Sequence, residues 1–298
     1  MIILVTGSNG FSGTHFCRRF VSVGLNNGTA TIDLRDAKRL RERIATVRPD
    51  AVVHLAAQSS VKMSVQDPVE SMKINFSGTL NLLQALDANN FNGVLLYVGS
   101  GEIYGNVDIN DLPIQEKQEL RPRTPYAVSK VAAEALCYQW SQTGKYRVIM
   151  ARPFNHIGAG QKAIFAVSDF ARQINEMILG RRLPVLMTGD LDVVRDFSDV
   201  RDVVRAYYLL LQKGVNGEVY NICSGRGRSL RSIVEGLLQI AEVQADLHTN
   251  IARLRPTEQK VLIGNPSAIY AAVGWRNEII FEDTLLSIMN FWKNELDI

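Results

Sequence analysis

Short apolar or β-branched runs alternate with amphipathic stretches through the first half of the chain. IILVTG (2–7) precedes FSGTHFCRRFVSVG (11–24), and AVVHLAA (51–57) precedes the stretch from Pro68 through Ala88. VLLYVGS (94–100) precedes PYAVSKVAAEALCYQW (125–140), and RVIMAR follows at 147–152. Continuous apolar runs of this length read as strands buried on both faces, and the amphipathic stretches read as helices. Repetition of strand, helix and strand predicts a parallel sheet. Right-handed crossovers then place helices on both sides of it, which is the doubly wound α/β arrangement of the Rossmann type. No internal repeat or low-complexity linker interrupts the chain. The second half is therefore expected as a smaller C-terminal lobe packed on the sheet. The division drawn is a sheet domain at 1–160 plus about 190–225, and a smaller lobe at 161–189 and 226–298.

With 298 residues, 46% of them hydrophobic, the chain can bury one large core or two unequal ones. The net charge of +3 suggests neither a nucleic-acid patch nor a membrane-binding tail, which leaves a small molecule as the expected partner. The opening residues MIILVTGSNG run straight into a glycine-rich turn and resemble no secretory signal. Cys17, Cys137 and Cys223 are odd in number and far apart, so reduced cytoplasmic thiols are expected. His15, His54, His156 and His248 have no ligand spacing and read as structural residues, with no metal required.

Strand IILVT ends in Gly7, Ser8, Asn9, Gly10, Phe11, Ser12 and Gly13, and a helix follows. Side chains at Gly7 and Gly10 would keep the backbone from a pyrophosphate, while Gly13 lets the helix approach the strand. The helix N-terminus then faces the phosphates. Asp33 lies about 20 residues beyond Gly13, where a ribose-binding carboxylate is found in dinucleotide folds. A full second strand does not fit between the first helix and TATIDL (29–34), however, so TATIDL is read as the next strand. Asp33 is then expected near the adenine, Arg35 is a candidate for a 2′-phosphate, and NADPH and NADH both remain open.

Pro125 opens a helix behind Thr124, and Tyr126 and Lys130 are four apart, so both project from one helix face. An ammonium near a phenol is expected to lower the phenol pKa and make proton exchange with a substrate oxygen feasible. Ser100 follows the apolar strand VLLYVG, where its hydroxyl can bond the reacting oxygen.

The glycine loop, HLAAQSSV at 54–61, Asn75 in INFSGTLNLL, GSGEIYG at 99–105 and PYAVSK at 125–130 together resemble the extended short-chain dehydrogenase/reductases. That family acts chiefly on nucleotide sugars. The resemblance implies that Ser100, Tyr126 and Lys130 are its catalytic Ser/Thr, Tyr and Lys. It further implies cofactor contacts from Gly7, Asn9, Gly10, Phe11, Gly13, Asp33, Leu34, Leu55, Ala56, Ala57, Tyr126, Lys130 and Arg152. Asn155 in ARPFNHIGAGQ, Arg195 in VRDFSDVRDVV, and Arg255 and Glu258 in LRPTE are implied to hold the nucleotide diphosphate and nucleoside. Arginine suits that task because its planar fork pairs two phosphate oxygens at once. Val167 stands where similar reductases place a hydroxyl near the nucleotide.

Over nearly the whole chain the resemblance runs to members that reduce the C4 keto group of a GDP-linked 4-keto-6-deoxy sugar. The implied product is GDP-D-rhamnose or its C4 epimer, GDP-6-deoxy-D-talose, with NADPH or NADH as hydride donor. Glu102 also matches the carboxylate that sugar 4,6-dehydratases use, so a dehydratase or a C4 epimerase is the alternative within the family. A nucleotide-sensing binding module is the alternative outside enzymes. Resemblance also implies a homodimer through the helices carrying Asn75 and Tyr126.

Overall fold

The computed structural model describes residues 1–26, 31–254 and 259–296. Its strands are β1 (Ile3–Thr6), β2 (Val23–Gly24), β3 (Ala51–His54), β4 (Val94–Val98), β5 (Arg147–Pro153), β6 (Asn155–Ile157), β7 (Val185–Thr188), β8 (Val194–Asp199), β9 (Val219–Ile222), β10 (Gly227–Ser229), β11 (Asp246–Thr249) and β12 (Val261–Leu262). Its helices are α1 (Phe11–Arg19), α2 (Ala37–Val47), α3 (Val61–Gln66), α4 (Pro68–Met72), α5 (Gly78–Ala88), α6 (Pro125–Ser141), α7 (Ala166–Ile178), α8 (Val200–Lys213), α9 (Leu230–Ala241), α10 (Ser267–Val273) and α11 (Phe281–Leu296). None of the described helices is long and apolar enough to cross a membrane.

The main sheet is parallel throughout, in the order β2-β1-β3-β4-β5-β9. Alternation along each strand feeds two cores. Ile3, Val5, Val53 and Leu96 pack with Phe16 of α1 and with Val203, Tyr207 and Leu210 of α8. Leu4, Val52 and Leu95 pack on the opposite face with Leu40 and Ile44 of α2, Leu82 and Leu86 of α5, and Cys137 of α6. Because both faces are covered, the strands are apolar at consecutive positions, which is why they stand out in the sequence. The chain passes from β2, on one side of β1, to β3 on the other. The crevice between the carboxyl ends of β1 and β3 is thus the topological switch point of the sheet.

The strand expected from TATIDL is not formed in its described part, 31–34. The second strand is instead the two-residue β2, and the chain after it turns. The Ile32 amide donates to Asn26 Oδ1 at 3.0 Å, the Asp36 amide closes a turn onto the Asp33 carbonyl at 3.0 Å, and Leu34 is buried against Gly78. These local bonds satisfy the backbone without a ladder.

The C-terminal half builds a second core. Strand β8 pairs antiparallel with β10 and parallel with β12 and β6, while β7 pairs with β11. Val167, Phe170 and Ile174 of α7 meet Ile233, Val234 and Leu237 of α9 and Leu285, Ile288 and Met289 of α11. The division drawn from the sequence needs one correction. Ile269 and Val273 of α10, with the fully buried Trp275, belong to the core beneath the main sheet. The Trp275 indole N–H donates to the Asp202 carbonyl of α8 at 2.9 Å, tying that segment to the sheet domain.

Leu96 lies at the centre of the sheet with no exposed surface. Leu96→Ala is expected to cost about 2–5 kcal/mol, through lost transfer free energy and the cavity left behind. Urea unfolding should show a lower midpoint with an unchanged slope.

Candidate active site

The glycine loop follows β1 directly. Gly7 has φ +69°, and a Cβ there would stand 2.8 Å from the Ala56 amide nitrogen. A Cβ at Gly13 would stand 2.1 Å from the Gly7 carbonyl oxygen, so α1 can reach the loop only with glycine at that position. Gly10 begins α1 with no side chain capping it. The first turn is therefore open to an anion, as a helix start with unsatisfied amides should be. The loop is braced from the far side: Ser12 Oγ meets His156 Nε2 at 2.9 Å, and the Phe11 and His156 rings stack.

Leu55 and Ala56 lie beside this loop, with the Ala56 amide donating to Thr6 Oγ1 at 3.1 Å. Asp33 forms a two-pronged pair with Arg35, at 2.9 and 3.0 Å from Arg35 Nε, and Arg35 Nη1 reaches Glu70 at 2.6 Å. Arg35 holds the Asp33 carboxyl below its usual range. The guanidinium suggested for a 2′-phosphate is thus engaged by two carboxylates. The Leu34 side chain is in the core.

Ser100 lies two residues beyond β4 and caps a short turn, its Oγ accepting the Glu102 amide at 3.2 Å. Thr124 caps α6 by accepting the Ala127 amide at 3.1 Å, with Pro125 in the first turn, which sets Tyr126 at the mouth of the sheet. Tyr126 and Lys130 are both buried. Lys130 Nζ donates to the Val98 carbonyl at 2.9 Å and lies 5.3 Å from the Tyr97 ring centroid. Burial pushes the Lys130 amine down to about 8, against the opposing pull of Cys137 and Glu134.

Tyr126 departs from the sequence expectation. Its phenol is pushed up to about 12, not down: burial dominates, the Ser100 hydroxyl opposes it, and the Glu102 charge adds to it. Ser100, Glu102 and Tyr126 therefore meet in one place, and the phenol there keeps its proton.

Arg152 must also be corrected. Its Nε donates to Glu134 at 3.0 Å and Nη2 to the same carboxylate at 2.5 Å, while Nη1 serves the Tyr104 hydroxyl at 2.8 Å and the Glu116 carbonyl at 2.9 Å. At 5% exposure, this guanidinium ties β5 to α6 inside the protein, with four of its five N–H donors taken up there. Val167 is likewise inward, in the core of the C-terminal lobe, so the residue there answers to packing and not to a nucleotide.

Asn155 begins β6 and is half-buried, paired with Phe197 of β8. Arg195 stands on β8 opposite Arg228 of β10 and Leu262 of β12, with Nη1 donating to the Val194 carbonyl at 2.9 Å. Arg255 and Glu258 lie outside the described residues.

His54, read from the sequence as a structural histidine, is buried close to the site. His54 ends β3, with Nδ1 2.7 Å from Thr6 Oγ1 and Nε2 2.9 Å from Thr79 Oγ1. Burial, with the Lys130 charge adding to it, pushes His54 down to about 3. The Tyr97 ring also lies against it. The signal available was a polar residue closing an otherwise apolar strand, which must find partners inside.

The unfolded chain protonates this imidazole near 6.5 and the folded one only near 3. Between those values the unfolded state holds more protons, so stability falls as pH drops from about 6.5 towards 3. Melting temperatures over that window should fall more steeply for the natural protein than for His54→Gln, which has nothing to titrate. Equal slopes would contradict the burial argument.

The sequence model of the GDP-mannose 4,6 dehydratase family matches residues 26–288. GDP-6-deoxy-D-mannose reductase of Pseudomonas aeruginosa is 42% identical over 298 residues, covering 99% of this chain and 98% of that protein. GDP-6-deoxy-D-talose 4-dehydrogenase of Aggregatibacter actinomycetemcomitans is 30% identical over 308 residues, covering 99% and 98%. Among solved structures, RMD from Pseudomonas aeruginosa complexed with NADPH superposes with a TM-score of 0.93 at 41% identity, covering 99% of both chains. With its parallel sheet, glycine loop and family-wide match, the chain belongs to the extended short-chain dehydrogenase/reductases, in the GDP-mannose 4,6 dehydratase family.

Proposed function

We propose that the protein is an NAD(P)H-dependent reductase of the C4 keto group of GDP-4-keto-6-deoxy-D-mannose, forming GDP-D-rhamnose or its C4 epimer. The observation that carries the reading is a buried phenol that keeps its proton, beside the Ser100 hydroxyl and one helical turn from the Lys130 ammonium. Reduction of a ketone needs an acid at that point, and a phenol held at about 12 is one at every physiological pH. Full-length likeness to the reductase of Pseudomonas aeruginosa supports the substrate class.

The residues present fit a dinucleotide. The open first turn of α1 and the glycines that a Cβ would fill lie at the switch point of the sheet, where a pyrophosphate is held by backbone amides. A bound reduced nicotinamide supplies the hydride to C4. Tyr126 Oη gives its proton to the developing alkoxide, Ser100 Oγ donates a hydrogen bond to the same oxygen, and the Lys130 ammonium stabilises the phenolate that remains. Glu102 favours the protonated phenol in the resting site. Asn155 and Arg195, together with Arg255 and Glu258, are assigned to the GDP portion of the substrate. Asp33 and Leu34 are assigned to the adenosine end of the cofactor, Leu34 through its backbone.

Exposed Val69 of α4 with Val128 and Tyr138 of α6 supports a homodimer through these helices. Light scattering should then give twice the 33.2 kDa chain mass. The free thiols Cys17, Cys137 and Cys223 fit a cytoplasmic setting.

Tyr126→Phe should lower kcat for the keto sugar by about 10²- to 10⁴-fold while leaving NADPH affinity nearly unchanged. An unaltered kcat would refute the assignment, and conversion of GDP-mannose without added reductant would identify a dehydratase instead. A pH profile gives a separate test. Lys130 carries its charge below about 8 and loses it above, so kcat/KM for reduction should be level at lower pH and fall as pH rises past 8. Lys130→Met should be slower throughout and lack that alkaline decline.

A further inference from the structure

The hydrogen bonds around His54 form one directed chain between the cofactor loop and the catalytic helix. Thr6, the last residue before Gly7, accepts the Ala56 amide through Oγ1 at 3.1 Å. Its own hydroxyl proton is then free for His54 Nδ1 at 2.7 Å. On the other side of the ring, Thr79 Oγ1 donates to the Asn75 carbonyl at 2.6 Å, so it must accept from His54 Nε2 at 2.9 Å. Thr79 thus requires the proton on Nε2, burial keeps the ring uncharged, and the bare Nδ1 that follows accepts from Thr6: a neutral imidazole protonated on Nε2.

The chain continues past Asn75. This residue sits in a single π-helical turn, Lys73–Ser77, between α4 and α5. Its side chain accepts the Gln58 amide at 2.8 Å, donates to the Gln58 carbonyl at 3.1 Å, and donates to Ser129 Oγ at 2.8 Å. Ser129 Oγ in turn donates to the carbonyl of Tyr126 at 2.7 Å. Five side chains from β1, β3, α5, the π turn and α6 thus link the residue before the glycine loop to the backbone of the proton donor. His54, Thr6, Thr79, Asn75 and Ser129 are each no more than 2% exposed, so no solvent competes for these bonds.

We infer that His54 is a positioning residue: as a neutral donor and acceptor it holds the π turn and the first turn of α6 in register with the cofactor loop, fixing where the Tyr126 hydroxyl stands relative to a bound nicotinamide. The inference rests on the ketoreductase reading. A π turn is an over-wide turn held by tertiary bonds, and such turns recur at functional sites. Misplacing a catalytic group by about 1 Å can cost on the order of a hundredfold in rate.

Glutamine can imitate the imidazole, its carbonyl accepting from Thr6 and its amide donating to Thr79. Leucine can do neither. His54→Leu should therefore lower kcat at least about tenfold with little change in KM, and His54→Gln should recover it to within about threefold of the natural enzyme. If leucine at 54 prevents folding, Thr79→Val breaks the same chain at its next link and carries the same expectation. A second readout needs no turnover. Nitrogen-15 NMR of the cofactor-free protein should show His54 with its proton on Nε2 and a bare Nδ1, unchanged from pH 5 to 9. Natural enzyme that turns over while the leucine and valine variants match its kcat would overturn the inference, as would an Nδ1-protonated or cationic ring. Absence of turnover in the natural enzyme would instead count against the ketoreductase reading, and the NMR result would still decide the state of the ring.

Discussion

A buried ammonium at the carboxyl end of β4 sets the terms for the site around it. Removing the Lys130 charge from water is costly, and among the described residues the fold returns one carbonyl hydrogen bond, from Val98, and the face of the Tyr97 ring. Glu134 lies one turn further along α6, but its carboxylate is held by Arg152. Burial lowers the lysine's affinity for a proton, and the opposing pull of Cys137 and Glu134 does not restore it, which leaves the amine in the range where enzymes work. That incomplete compensation leaves a charge poised to respond when a phenolate forms beside it.

The rest of the architecture keeps this arrangement rigid and dry. Two apolar cores cover both faces of the sheet, and Thr6, His54 and Tyr97 stand in successive register positions across β1, β3 and β4 near the strand ends. The Arg152–Glu134 pair serves the same end from behind, locking β5 to the helix that carries Tyr126 and Lys130. Breaking such a pair leaves an unmatched charge in the interior, so both residues are held where they are by electrostatics as well as packing.

Much of this was readable from residues alone, for definable reasons. Strands buried on both faces are apolar at consecutive positions, a strand running into Gly-x-x-Gly-x-x-Gly has few other structural solutions, and a four-residue spacing puts Tyr126 and Lys130 on one helix face whatever surrounds them. What escaped depended on partners distant in sequence. TATIDL has the composition of a strand, but over its described residues the Asn26, Asp33 and Asp36 bonds and the packing of Leu34 on Gly78 make it a turn. Arg152 sits three residues before Asn155, and only the fold shows that its side chain turns back to Glu134. The direction of the Tyr126 shift also escaped, because spacing reveals a neighbouring ammonium and says nothing of the burial that outweighs it. The partners of His54 also escaped, because they come from elements whose meeting no spacing announces.

The central claim is that this site delivers hydride to C4 of a keto sugar while a protonated phenol meets the oxygen. The most direct measurement is to supply GDP-4-keto-6-deoxy-D-mannose with NADPH carrying deuterium at the transferable C4 position of the nicotinamide, and to locate the label by NMR. The account predicts one deuterium on C4 of the 6-deoxyhexose product, in amount equal to the cofactor consumed. Label at C6, or oxidation of the cofactor with no label on the sugar, would contradict it.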